Sequence, residues 1–247
     1  MKTFYIGSLP HTSVESAIQF VKTHSPELPF LPQLPGLNPQ EDMIGQVLRG
    51  FEMGTWDDKA SVCLANFWQE FSQSPRAKIQ VAGPFAVART MCMDFLEIMP
   101  QWITLFEGLV TQWESAKMKG EMWLQIDEPF WSKERPLPGA YPRFVGGLRK
   151  AFANLKIGIH SCATERPKIE AEIWPLFDFY SFDFSAHRMT AEEEAFWKKA
   201  PEKLVAGILS REKPPALKNV ISEVQWISAS CGLADWSETQ LQSLAER

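Results

Sequence analysis

The feature that most limits the fold of this 247-residue chain is an alternation: short β-rich runs recur along it, each followed by a longer stretch with helical apolar spacing. That is the pattern of βα units around a parallel sheet. The runs that read as strands are residues 3–6, 28–31, 78–82, 122–126, 156–159, 179–182, 204–206 and 226–229. Roughly eight strands in about 250 residues is what a (β/α)8 TIM barrel requires. The expectation is therefore one such barrel over residues 1–247, since no internal repeat, low-complexity tract or linker marks a second domain.

The helices between the runs are readable from caps and stripes. Thr12 reads as an N-cap with Glu15 three residues on, a capping box before Ala17, Ile18, Phe20 and Val21. Residues 57–71 place Val62, Ala65, Phe67, Trp68 and Phe71 behind Asp57 and Asp58, two carboxylates suited to a helix start. Pro100 is expected to open a helix over 101–119, with Ile103, Phe106, Leu109, Val110 and Trp113 as its apolar stripe. Further helices are expected over 141–152, 168–174, 191–199, 215–224 and 238–245, and Pro-rich rim loops over 29–39 and 136–142.

Composition excludes several partners. A net charge of -5 offers no basic surface for nucleic acid, and 45% hydrophobic with 22% charged residues fits a globule with a sizeable core. No apolar run reaches the ~20 residues that span a bilayer, so no membrane partner is expected. The opening residues lead into a Gly-Ser-Leu-Pro turn, which reads as cytoplasmic. The cysteines at 63, 92, 162 and 231 are dispersed, which suits free thiols or metal ligands better than disulfides. Cys63 and Cys92 lie on helical segments and read as core filling.

Chemistry in a (β/α)8 barrel sits at the carboxyl ends of the strands, and the unusual residues gather there. Gly7-Ser8 follows the first run, Asp127-Glu128-Pro129 the fourth, His160-Ser161-Cys162 the fifth, Asp183 the sixth and Cys231-Gly232 the last. Positions two apart on an extended backbone point the same way, so His160 and Cys162 can grip one ion. If the strands are placed correctly, Asp183 and Cys231 converge on them, making a zinc site of imidazole, thiolates and carboxylate. The alternatives are a core histidine beside a buried thiol, a small buried Cys231 and a capping Asp183. Asp127 and Glu128 suit amine recognition or proton transfer, or else an ion pair with Arg143 or Lys133. Gly7-Ser8 reads either as a tight turn or as backbone N–H groups that suit a carboxylate.

With these residues in place the sequence resembles the catalytic barrel of cobalamin-independent methionine synthase, within the superfamily that includes uroporphyrinogen decarboxylase and corrinoid methyltransferases. The segments that carry the resemblance run nearly end to end: Ile6-Gly7-Ser8, Val81-Ala82-Gly83-Pro84, Gln125-Ile126-Asp127-Glu128-Pro129, His160-Ser161-Cys162, Ser181-Phe182-Asp183 and Cys231-Gly232-Leu233. The resemblance implies zinc held by His160, Cys162, Cys231 and the carboxylate at 183, activating a substrate thiol. It also implies Ser8 near the carboxylate and Asp127 near the amine of that substrate. The activity implied is methyl transfer to homocysteine in methionine biosynthesis, from a methylfolate or a methyl-corrinoid protein. Position 183 is Asp where the full-length enzymes carry Glu, residues 207–211 lack their His, and residues 32–35 lack their acidic residue. Those gaps favour a corrinoid donor, a decarboxylase-like relative, or a non-catalytic zinc- and thiol-binding paralogue.

Overall fold

In the computed structural model, residues 2–57, 59–152, 155–163, 165–210, 216–237 and 239–241 are described. Seven strands form one all-parallel sheet: β1 (Lys2–Thr3), β2 (Arg76–Ala82), β3 (Glu121–Asp127), β4 (Leu155–Ser161), β5 (Phe179–Asp183), β6 (Leu204–Leu209) and β7 (Trp226–Ala229). Their order is β1-β7-β6-β5-β4-β3-β2, so β1 and β2 are the two edges. The α/β class and the parallel sheet agree with the expectation from the alternation of runs, and the sheet is compatible with a TIM-type fold.

The run at 28–31 forms no strand, in contrast to expectation. Pro29 and Pro32 remove two of the N–H groups that a ladder needs. The segment nevertheless makes isolated parallel bridges, Phe30 to Lys78 of the edge strand β2 and Gln33 to Ser8 in the segment that follows β1. Leu31 N–H donates to the Lys78 carbonyl at 2.9 Å, and Leu9 N–H donates to the Gln33 carbonyl at 2.9 Å.

Alternation along the strands sorts side chains onto two faces. On β3, Leu124 and Ile126 join Ile79 and Val81 of β2 and Ile157 and Ile159 of β4 in the large core beneath the helices. The opposite face carries Phe4, Phe179, Val205 and Trp226 as a separate apolar cluster, with Trp123 packed against it. Above that cluster this inner face becomes polar, with Lys78, Gln80, Gln125, Asp127, His160 and Ser181 all buried.

The helices are α1 (Val14–His24), α2 (Met43–Met53), α3 (Leu64–Phe71), α4 (Pro84–Met91), α5 (Phe95–Ser115), α6 (Tyr141–Ala151) and α7 (Ala191–Trp197). Ser13, not Thr12, caps α1, its hydroxyl accepting from Ser16 N–H at 3.2 Å. Helix α3 starts at Leu64 rather than at Asp57. Pro100 lies inside α5 rather than opening it, because Asp94 caps the helix earlier through Leu96 N–H at 2.7 Å. The proline forfeits one helical hydrogen bond, the one its N–H would have made to the carbonyl of Leu96. Helices α2 and α4 lie where none was expected. Residues 168–173 form no helix, Trp174 opening only a 3-10 turn (Trp174–Leu176), and residues 216–224 yield only a 3-10 turn at Leu217–Asn219. Of the helix expected over 238–245, residue 238 and residues 242–245 lie outside the described residues, as does Pro215. Cys63 is buried as expected, whereas Cys92 is exposed at the left-handed C-cap of α4. Among the described residues no helix is long and apolar enough to cross a membrane.

Candidate metal centre

The β-branched run of β4 ends in His160 and Ser161, and register places His160 beside Asp127 of β3 and Ser181 of β5. The strand runs this deep because Gly158 lets the Phe179 ring cross it: a Cβ there would lie 2.1 Å from that ring. His160 Nδ1 is 3.0 Å from the Ser181 hydroxyl, a contact that fixes the ring. Nε2, buried, has no hydrogen-bond partner. Cys162 follows on the same side, and Cys231 comes from beyond the end of β7. One ligand atom from each of His160, Cys162 and Cys231 lies within 4.8 Å of the other two.

The loop carrying Cys231 is docked on Ser8, in the segment that follows β1. Leu233 N–H donates to the Ser8 carbonyl at 2.7 Å. Gly232 lies so close that a Cβ would come 2.7 Å from that of Ser8. Ser8 thus lies alongside the cluster, while Gly7 is buried behind it.

The donor set fits zinc. Tetrahedral ligands at about 2.0–2.3 Å from the metal sit roughly 3.3–3.8 Å apart, so three atoms mutually within 4.8 Å need only a small inward movement. The unpartnered Nε2 is the atom such an ion would take, and the Ser181 contact behind it is the usual support for a ligating imidazole. The thiols are already polarised. Cys162 donates toward Cys231 and, with the His160 imidazole, holds Cys231 below the ordinary thiol range. The same contact, with burial, pushes Cys162 up.

Asp183 does not join the three. Its Oδ1 accepts from Ser185 N–H at 2.7 Å, a local turn that a short carboxylate arm makes readily. Asp183 caps no helix either, since the next one starts at Ala191, and the residues that could hold a metal are His160, Cys162 and Cys231.

The two adjacent carboxylates part company. Glu128, expected as a catalytic partner of Asp127, is committed to the scaffold. It accepts from Phe85 N–H at 3.1 Å, Ala86 N–H at 2.7 Å and Tyr141 O–H at 2.9 Å, which pins the start of α4. Burial pushes its carboxyl up to about 8 against the pull of those donors. Asp127 faces the inner side, where Gln125 Nε2 donates to Oδ1 at 2.6 Å and Oδ2 is buried without a partner. Burial pushes the Asp127 carboxyl up to about 6, opposed by His160, Gln125 and Lys78. Neither carboxylate pairs with Arg143 or Lys133 among the salt bridges of the described residues.

A cavity of about 310 Å³ opens beside Cys231, lined by Ser185, Ser210, Ser230, Asp235 and Trp236 among others. A second, of about 260 Å³, is walled by Phe182, Phe184, Phe196 and Trp197 and includes none of the cluster. Sequence reasoning missed Ser181, Gln125 and Lys78. Strand alternation holds the signal for two of them, because Ser181 and Gln125 each precede a flagged residue by two positions.

No protein-family model matches this chain, and no curated protein matches it.

Proposed function

We propose that this chain is a zinc-dependent S-methyltransferase of the methionine synthase barrel type, with homocysteine as the acceptor thiol. The observation that carries the reading is the buried, unpartnered His160 Nε2 facing two thiols from separate strands. In the same reading the segment around Phe30–Gln33, bridged to β2 and to the residues that follow β1, is the eighth stave of a single (β/α)8 barrel.

Zinc at His160, Cys162 and Cys231 would supply Lewis acidity that keeps a substrate thiol ionised near neutral pH. Three protein ligands leave a fourth position for that thiol. The chain's own residues do the rest. Ser181 holds the imidazole ring in place, and Ser8 lies beside Cys231 where the substrate carboxylate would rest. Asp127 offers one bare oxygen to the amine. The cavity beside Cys231 gives the methyl donor an approach. Free cysteines suit a reducing compartment such as the cytoplasm.

The test is methionine formation by the purified protein from homocysteine with methylcobalamin and, separately, methyltetrahydrofolate. Turnover with methylcobalamin alone is the expected result, since residues 207–211 lack the histidine that would protonate a folate leaving nitrogen. That same absence favours a second reading, a zinc- and thiol-binding protein without turnover. Stoichiometric zinc and homocysteine binding with no methionine from either donor would establish it.

A further inference from the structure

Beneath the metal cluster lies a buried polar chain that holding a metal does not by itself require. Lys78 and Gln80 on β2 and Gln125 and Asp127 on β3 are all at most 1% exposed. The Lys78 Nζ, whose pKa burial lowers to about 7 against the pull of Asp127, meets three oxygens: the Ile6 carbonyl at 2.8 Å, Gln80 Oε1 at 3.0 Å and Gln125 Oε1 at 3.2 Å. In its charged form Lys78 only donates, and Gln125 turns its oxygen toward Lys78 and its amide nitrogen away. That nitrogen donates to Asp127 Oδ1 at 2.6 Å and to the Ile6 carbonyl at 3.3 Å. One oxygen of Asp127 is thereby fixed, and Oδ2 is left buried and bare beside His160 in register.

A buried carboxylate oxygen without a donor is costly unless a cation or donor comes to meet it. An apolar side chain at 78 would fill the same space without the desolvation that an ammonium suffers there. We propose that Lys78, acting through Gln125, is a positioning residue that presents Asp127 Oδ2 to the ammonium of an α-amino thiol. Its sulfur lies at the His160, Cys162 and Cys231 cluster, and the site therefore selects amino thiols over thiols that lack the amine. The inference rests on the metal-thiol reading above and adds the source of its selectivity.

The test uses the cobalt-substituted protein, in which thiolate binding appears as a new sulfur-to-cobalt absorption band. Homocysteine and its des-amino analogue 4-mercaptobutyrate are titrated into the wild type, Lys78→Met and Gln125→Met, with thermal melts to confirm folding. The wild type is expected to prefer homocysteine by at least about tenfold, the size of one charge-assisted hydrogen bond. Each variant is expected to bring the two thiols within about twofold, by weakening homocysteine alone. Gln125→Met carries the test if Lys78→Met does not fold. Equal wild-type affinities, or parallel loss of both thiols in a folded variant, would overturn this inference while leaving the metal reading intact. A wild type that takes no cobalt, or takes it and binds neither thiol, would overturn both.

Discussion

The two faces of β3 are equally buried but differ in how their polar groups are satisfied. Outward, Leu124 and Ile126 are fully buried in an apolar layer, and Glu128 ends the row with three donors on its carboxylate. Inward, Gln125 and Asp127 are equally buried, yet Asp127 keeps a bare oxygen and His160 beside it a bare nitrogen. Burial is the same on both sides. What differs is satisfaction: the Glu128 carboxyl has three donors, whereas Asp127 Oδ2 and His160 Nε2 have no partner. The outer face holds the sheet to its helices; the inner face holds unfilled valences.

That contrast breaks if inner and outer substitutions have the same consequence. The largest effect should come from Cys231→Ser, which removes a ligand. Zinc affinity is expected to fall by more than the ~100-fold that loss of a supporting partner can cost, with little change in the melt of the metal-free protein. Competition with a chromophoric chelator measures it. Leu124→Ala on the outer face should reverse the pattern, costing about 2–5 kcal/mol of unfolding free energy by urea titration while the folded fraction binds zinc normally. Ser181→Ala sharpens the contrast: freeing the His160 ring is expected to lower zinc affinity about 10–100-fold. Tyr141→Phe should do nothing to zinc and cost about 1–3 kcal/mol, because it strips a donor from buried Glu128.

The smallest perturbation is pH. Cys162 sits above the ordinary thiol range and therefore keeps its proton in the metal-free protein at neutral pH. Zinc must displace that proton, so affinity should rise with pH, by about tenfold per unit for one proton, until hydroxide competes. Cys231, held low, adds no further slope near neutrality. Calorimetry in buffers of different ionisation enthalpy counts the protons released. A release near zero or near two would contradict the single proton assigned to the pair.

Much of this was legible in the residues alone. Six of the expected strands exist, 226–229 with both ends as read, because β-branched and aromatic runs buried on both faces leave little choice, whereas the run at 3–6 is strand only at Thr3. His160, Cys162 and Cys231 meet because strand ends in a parallel sheet share one rim. The failures are local. Pro29 and Pro32 broke a strand whose apolar content argued for one, and Asp94 outcompeted Pro100 for the start of α5. Asp183 turned to its own loop, a choice made by one short side chain and invisible to strand periodicity. Lys78 was unreadable because a lysine in a β-run ordinarily signals a solvent-facing position. Its burial depends on acceptors from Ile6, Gln80 and Gln125, far apart in sequence.

X-ray absorption at the zinc edge of the purified protein tests the central claim most directly. Two sulfurs at about 2.3 Å and one imidazole nitrogen at about 2.0–2.1 Å are predicted, dropping to one sulfur in Cys231→Ser. A protein that retains no zinc, or a sulfur count untouched by that substitution, would contradict it.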